Sequence, residues 1–152
     1  MKLAEALLDR ANAQRAIEQL QERLKNVALV QEGEAPAEDP QQLLQSVEAA
    51  YERLKVLMQQ INRTNSLTDV GGGETLTDLL ARRDVLKKRH AFLHDFATTA
   101  TPKKEKYQPG QVKYHSSVSV PEIRKMADRV AVEFREVEVK IQSINWSVDL
   151  ME

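Results

Sequence analysis

Apolar residues recur along most of the chain at intervals of three and four positions, a spacing that places them on one face of an α-helix. Four segments have this pattern, and breaks that contain Gly, Pro or runs of polar residues separate them. They predict helices over residues 2–27, 40–65, 76–100 and 121–150. Helices this long, joined by shorter connections, favour antiparallel neighbours. The sequence therefore predicts a mainly α fold, an antiparallel helical bundle or a set of coiled-coil hairpins.

The second and fourth segments have the most regular apolar rows, with alternating intervals of three and four. The row of the second segment consists of Leu44, Val47, Tyr51, Leu54, Met58 and Ile61. The row of the fourth segment consists of Ile123, Ala127, Val130, Phe134, Val137, Ile141, Ile144 and Val148. This heptad spacing is typical of helices that pack side by side. We therefore expect both rows to face neighbouring helices.

The predicted helix starts and breaks depend on local signals. Asp39 suits a helix N-cap and Pro40 the first helical position, while Thr75 and Asp78 have the spacing of a capping box. The three consecutive residues Gly71–Gly73 precede this third helix. They predict a flexible connection, because glycine restricts the backbone least.

Between the third and fourth helices the apolar period changes from about 3.6 to two, which is typical of a β-strand. Val112, Tyr114 and Val118 alternate with polar residues after a turn signal at Gln108–Gly110. Residues 104–119 therefore predict a short β-hairpin or strand. A lone hairpin is marginally stable in water, so it would pack on the helices or pair with a strand of another copy. In the second case Val112, Tyr114 and Val118 form an oligomer interface.

Composition narrows the class of protein. The 152 residues include no Cys, 41% are apolar, and 22 Lys and Arg balance 23 Asp and Glu. One domain over residues 1–152 is the natural expectation at this length, without disulfides or thiolate metal sites. Glu5 stands where a signal peptide has its apolar run, and no apolar stretch is long enough to span a bilayer. These features predict a cytoplasmic protein and exclude a membrane as an expected partner.

Charge is unevenly distributed along the chain. Residues 82–106 contain eight basic and three acidic residues, whereas residues 1–60 contain seven basic and ten acidic residues. A basic helix could contact phosphate groups, or it could dock beside acidic helices of the same or a neighbouring chain. Because the net charge is −1, we do not expect nucleic acid as a partner. We expect a homo-oligomer, with another protein as a further possible partner.

His90 and His94 are the one pair with the spacing of a metal-binding helix, since residues four apart share a helix face. A metal site needs at least a third ligand, and only His115 and Asp95 suggest themselves. Ala91 occupies the position where the general-base Glu of zinc proteases would stand. His90 lies on the apolar row between Leu86 and Leu93, where a histidine that packs between helices is the commoner explanation. No cofactor and no catalytic residue are therefore expected.

A polar group at two predicted helix ends is the other candidate site. Asn62, Arg63 and Asn65 close the second helix, while Asn145 and Trp146 occupy the end of the fourth. Asn caps helix ends readily, and Trp is a common contact anchor. The group therefore predicts either structural capping or a contact with a ligand or partner.

Several strings resemble one known family. They are Gln31–Glu34, Glu38–Pro40, Ile61–Asn65, Leu76–Asp84 and Asn145–Trp146, of which Ile-Asn-Arg-Thr-Asn is the most distinctive. Together they are similar to a family of small uncharacterised bacterial proteins called septicolysin-like, and the similarity covers nearly the whole chain. The resemblance implies bacterial origin, a helical fold and no established activity. The name of the family would imply a secreted pore-forming toxin.

These observations support three functional hypotheses. The favoured one is a non-enzymatic protein that associates with itself through its helices. The second is a membrane-active, septicolysin-like protein, which would use residues 103–120 as an amphipathic hairpin. The third is a metal-dependent enzyme built on His90 and His94.

Overall fold

The computed structural model describes residues 1–104 and 108–152, and four long helices dominate it. Their bounds are α1 Leu3–Val27, α2 Pro40–Leu67, α3 Leu76–Thr99 and α4 Val120–Ser147. Two short strands, β1 Asp69–Gly71 and β2 Glu74–Thr75, form a two-stranded sheet between α2 and α3. The predicted mainly α class with four helices is confirmed.

Side-chain caps fix where α2 and α3 begin. The carboxylate of Asp39 accepts a hydrogen bond from the backbone N–H of Gln41 at 2.9 Å, and Pro40 occupies the first turn of α2. At the start of α3, the Thr75 hydroxyl accepts from the N–H of Asp78 at 3.3 Å, and the Asp78 carboxylate accepts from the N–H of Thr75 at 2.8 Å. The bonds that the Asp78 carboxylate accepts from the backbone N–H and then the hydroxyl of Thr75 hold the pKa of Asp78 below its usual value. The predicted N-cap and capping box are thus both present.

The three consecutive glycines form a tight turn and not a flexible connection, which corrects the sequence prediction. Gly72 and Gly73 join β1 to β2 with φ angles of 65° and 77°. Positive φ at both central residues is the backbone that a two-residue hairpin requires, and glycine adopts it without strain. The observed β element therefore lies between α2 and α3.

The β-hairpin predicted over residues 104–119, between α3 and α4, is not found where the structure describes that segment. Residues 108–119 contain no strand, and residues 105–107 lie outside the described residues. The predicted turn is present in another form, because the N–H of Gln111 donates to the carbonyl of Gln108 at 3.1 Å. Val112 and Tyr114 are each 76% exposed. Alternation alone does not make a strand here, because these apolar side chains stay exposed and no strand among the described residues pairs with the segment.

The chain divides into two compact units. Unit 1 consists of residues 1–69 and 142–152, and α1 and α2 form a helical hairpin within it. Asp9 pairs with Arg53 at 3.0 Å, and Glu38 pairs with Arg23 farther along α1, so the two helices run antiparallel. Their shared core is aliphatic and includes Leu3, Ala6, Ile17, Val27, Leu43, Val47, Leu57 and Ile61.

The buried face of α2 is rotated from the face that the sequence row predicted. Leu44, Tyr51 and Met58 belong to the predicted row, yet each is more than two-fifths exposed. The buried row is displaced by one position at these points and consists of Leu43, Val47, Leu57, Ile61 and Thr64. The row prediction for α2 was therefore wrong for three of its six members.

Unit 2 consists of residues 70–141, and α3 packs there against most of α4. Its core contains Leu86, Leu93, Ala127 and Val130, with Ile123, Phe134 and Val137 packed against them. Arg83 near the start of α3 lies 3.8 Å from the carboxylate of Glu138 in the later half of α4. Every member of the predicted apolar row of α4 is buried or half-buried, so this row was predicted correctly.

Candidate functional site

The histidine pair of α3 has the geometry that its spacing predicted, without a third ligand. The rings of His90 and His94 stack with centroids 6.4 Å apart, and His90 is half-buried while His94 is exposed. Among residues 1–104 and 108–152, no group of three or more His, Cys, Asp or Glu side chains could hold a metal ion. The described residues therefore give the metal-enzyme hypothesis no complete site.

An open groove of about 1140 Å³ lies between the end of α3 and residues 111–118 of unit 2. Phe96, Thr101, Tyr114 and His115 are among its lining residues. Val112 and Val118, which the sequence singled out with Tyr114 as an interface, also line it. The groove is a surface feature, and among the described residues that line it Lys103 and His115 are the basic ones. The interface at these three residues stays a prediction.

The Ile-Asn-Arg-Thr-Asn string holds the last residues of the chain against the end of α2. The Thr64 hydroxyl is fully buried, donates to the carbonyl of Gln60 at 2.8 Å, and accepts the backbone N–H of Met151 at 2.9 Å. The guanidinium of Arg63 donates to the backbone carbonyl of Glu152. The polar residues of this string thus satisfy backbone groups of a neighbouring segment.

Residues 1–3 complete this arrangement from the other side. Lys2 and Asp149 form an antiparallel bridge, in which the N–H of Leu3 donates to Val148 at 2.9 Å and the N–H of Leu150 donates to Met1 at 2.8 Å. The Lys2 ammonium lies 2.8 Å from the Asp149 carboxylate and holds the pKa of that carboxyl below its usual value. We call residues 1–3, 63–64 and 148–152 the terminal clasp.

The other candidate residues at the helix ends differ in exposure. Asn62 is exposed, Asn65 is half-buried, Asn145 is buried, and Trp146 is 58% exposed. Sequence reasoning missed Thr64, which forms the central contact of the clasp. Its signal was available, because Thr64 comes after Leu57 and Ile61 at heptad spacing on the buried face of α2. A ligand or partner contact at Asn62, Arg63, Asn65, Asn145 and Trp146 stays a prediction.

Three helices present a second apolar row to solvent. The exposed row of α2 is Leu44, Tyr51 and Met58; that of α3 is Val85 and Phe92; that of α4 is Val132, Val139 and Trp146. Neighbours within each row are seven residues apart, and all eight side chains are between 43% and 64% exposed. Single exposed apolar residues are ordinary, but a row at heptad spacing is the pattern with which helices associate.

The aromatic residue of the α3 row is held in place by a neighbour one turn away. Phe92 stacks on Phe96 with ring centroids 5.8 Å apart and planes at 4°. An aromatic side chain supported in this way presents a large apolar surface at a small cost in side-chain entropy.

No helix in the described part of the chain is long and apolar enough to cross a bilayer.

Comparison with known proteins places the chain in a family. A crystal structure of a functionally unknown conserved protein from Corynebacterium diphtheriae superposes with a TM-score of 0.93 at 42% sequence identity, over 99% of each chain. No curated protein matches the chain. A family model described as a family of unknown function, DUF6847, matches residues 10–150. Because the match covers nearly the whole chain, the protein belongs to the DUF6847 family.

Proposed function

We propose that this protein is a non-enzymatic interaction module that associates with copies of itself through its exposed apolar rows. The observation that carries the proposal is the row Leu44, Tyr51 and Met58 on α2, whose members stand one heptad apart and face water. This helix already buries a parallel row against α1. A helix with two heptad-spaced apolar rows can pack against two neighbours, of which unit 1 supplies one.

Burial of these side chains would provide the free energy of association. Transfer of apolar surface out of water is worth about 25 cal/mol per Å². Leu44, Tyr51 and Met58 keep a large part of their surface exposed in a single copy, and Tyr51 also carries a hydroxyl that accepts a hydrogen bond from Gln21 at 2.6 Å. A tyrosine fixed by its own chain is a suitable anchor for an interface.

The experiment is sedimentation velocity of the full chain from low to high micromolar concentration. We expect a concentration-dependent shift to a species heavier than the 17.3 kDa chain. Tyr51→Lys places a charge in the exposed row of α2 and is expected to weaken association strongly, because a buried unpaired charge is costly. Gln45→Lys is the matched control, since Gln45 is exposed on α2 outside the row.

Two results would contradict the proposal. One is a stable monomer of wild-type protein over the whole concentration range. The other is equal association of the wild-type, Tyr51→Lys and Gln45→Lys proteins, which would place self-association elsewhere. Far-UV circular dichroism of each variant verifies that the helices are retained.

The cytoplasmic location expected from the sequence is part of the same proposal. Fractionation of bacterial cells that express the full chain tests it. Recovery of the protein in the membrane or secreted fraction would instead favour the septicolysin-like alternative.

A further inference from the structure

We infer that the exposed row of α2 in one copy packs against the exposed row of α3 in a second copy, with charge selecting this pairing. The inference rests on the proposed self-association and adds to it the identity of the two surfaces. Its basis is a difference in charge between the two rows and between the units that contain them.

The two units have opposite net charges. Unit 1 contains 8 Lys and Arg against 13 Asp and Glu, which gives −5. Unit 2 contains 14 Lys and Arg against 10 Asp and Glu, which gives +4. The net charge of −1 for the chain is therefore the sum of an acidic unit and a basic unit. Unit 1 of one copy therefore attracts unit 2 of another copy. A contact between an acidic and a basic surface has a lower electrostatic free energy than a contact between two surfaces of like charge.

The same asymmetry is present at the rows themselves. Glu48 stands four residues after Leu44 and three before Tyr51, so it borders the exposed row of α2. Lys55 holds the same position between Tyr51 and Met58, but its ammonium pairs with Glu52 at 2.6 Å, so the unpaired charge on this border is that of Glu48. Lys88 and Arg89 stand between Val85 and Phe92 and border the exposed row of α3 on its two sides. Asp95, three residues after Phe92, also borders this row, so the border is basic on balance.

The three bordering charges are available to a partner. Glu48, Lys88 and Arg89 are exposed, and none of them forms an ion pair with another residue in the described ranges. Arg82 and Arg83, by contrast, pair with Glu74, Asp84 and Glu138 inside unit 2. Three basic residues of α3 thus have no ion pair with a residue in the described ranges, and two of them, Lys88 and Arg89, lie beside its apolar row; the third is Lys87.

Apolar contact supplies affinity, and the flanking charges decide which rows meet. Pairing of α2 with α2 would bring Glu48 of two copies together, or set it against Lys55, whose charge Glu52 already neutralises. Pairing of α3 with α3 would bring two basic pairs together. Like charges beside a helix interface are unfavourable, whereas opposite charges at these flanking positions select partner and orientation. The pairing of α2 with α3 is the one that matches charge as well as apolar surface.

The experiment is a charge swap followed by sedimentation equilibrium of the full-length proteins. Glu48→Lys alone, and Lys88→Glu with Arg89→Glu, are each expected to raise the dissociation constant about tenfold, because each reversal replaces attraction by repulsion. A chain with all three substitutions is expected to return to near wild-type affinity. An equimolar mixture of the two single-sided variants is expected to form mixed pairs, because the α2 row of each variant then faces an α3 row of opposite charge in the other.

The matched control is Glu18→Lys on α1. Glu18 is exposed, lies in unit 1 and forms no ion pair with a residue in the described ranges, so the substitution changes the net charge of the unit by the same amount as Glu48→Lys. We expect its dissociation constant to stay within about twofold of wild type, since an isolated surface charge contributes little. A tenfold effect of Glu18→Lys would mean that overall charge, and not the row, governs association.

The outcomes separate this inference from the proposed function. A monomeric wild-type protein overturns both. Association that persists while the triple variant stays weak overturns only the pairing of α2 with α3. Tighter association in a mixture of wild type and Glu48→Lys than in either protein alone indicates that α2 meets α2, and also overturns only the pairing. A monomer that binds a single-stranded oligonucleotide through Lys88 and Arg89 would overturn both and assign the basic row to nucleic acid.

Discussion

Helices α2 and α4 have nearly the same heptad pattern in sequence, yet they differ in which apolar residues they bury. In α4 every member of the predicted row from Ile123 to Ile144 is buried or half-buried, as is Val148 just after the helix. In α2 the buried residues include Leu43 and Leu57, whereas Leu44 and Met58 face solvent. A regular apolar period thus predicts that a helix packs against a neighbour. It does not determine which of two neighbouring apolar rows is buried within the same chain.

The difference arises from the angle between the apolar rows of each helix. In α4 the exposed row of Val132, Val139 and Trp146 lies on the side opposite the buried row, because Val139 is two residues from both Val137 and Ile141. In α2 the exposed row lies beside the buried row, because Leu44 and Met58 each stand three residues before a buried residue, Val47 and Ile61. Adjacent rows form one broad apolar face, and the neighbouring helix decides which part of it is covered.

Two adjacent residues of α2, Leu57 and Met58, belong to different rows of the helix. Leu57 is 4% exposed and Met58 is 44% exposed. We expect Leu57→Ala to lower the free energy of unfolding by about 2–4 kcal/mol, because it leaves a cavity in the core of unit 1. Met58→Ala is expected to change it by less than about 0.5 kcal/mol. Urea denaturation at low protein concentration, where single copies predominate, measures both.

A reversed order of these two effects would contradict the structure. If Met58→Ala were the more damaging, the row predicted from sequence would be the buried one. Repetition at high protein concentration sharpens the test, since the proposed association adds a cost for Met58→Ala there and adds none for Leu57→Ala.

Thr64 offers the next largest effect, because a polar residue continues the buried row of α2. Thr64→Val keeps the shape of the side chain but removes the acceptor of the Met151 N–H. We expect a loss of about 1–2 kcal/mol, the cost of a backbone N–H left without its partner. Thr64→Ser keeps the hydroxyl and is expected to recover the larger part of this loss. Equal stability of Thr64→Val and wild type would show that the clasp contributes nothing.

Structural features that depend on nearby residues could be predicted from the sequence, whereas contacts between distant residues could not. The capping residues Asp39 and Thr75 and the row of α4 could be predicted, because capping and heptad spacing depend on neighbours within one or two turns. The contact of Thr64 with Met151 could not, since 87 residues separate the partners. The same applies to Val112 and Tyr114, whose alternation required a partner strand that the sequence could not supply.

The ends of α2 and α4 lead into different structures, a tight turn after α2 and the terminal clasp after α4. Substitution of Gly73 tests the geometry of the turn. After α2 the chain reverses through Gly72 and Gly73, and Gly73 has a φ of 77°. Gly73→Ala is expected to cost about 1 kcal/mol, because the left-handed backbone is unfavourable for a residue with a Cβ. Gly73→Asn is expected to cost less, since Asn tolerates this conformation. Thermal unfolding monitored by circular dichroism compares the two variants, and equal stability of Gly73→Ala and wild type would contradict the turn geometry.

After α4 the chain enters the terminal clasp, where the expected effect is the smallest and depends on pH. The hydrogen bond and charge of Lys2 lower the pKa of Asp149 in the folded protein. A carboxyl whose pKa is depressed on folding stabilises the folded state above its unfolded pKa of about 3.9, and this contribution is lost as pH falls through the folded value. We therefore expect the hydrogen-exchange protection factors of the Leu3 and Leu150 amides, corrected for intrinsic exchange, to decrease below about pH 4. Asp149→Asn should lower this protection at neutral pH and remove its dependence on acid, whereas an Asp149 carboxyl that titrates at its ordinary value would contradict the ion pair with Lys2.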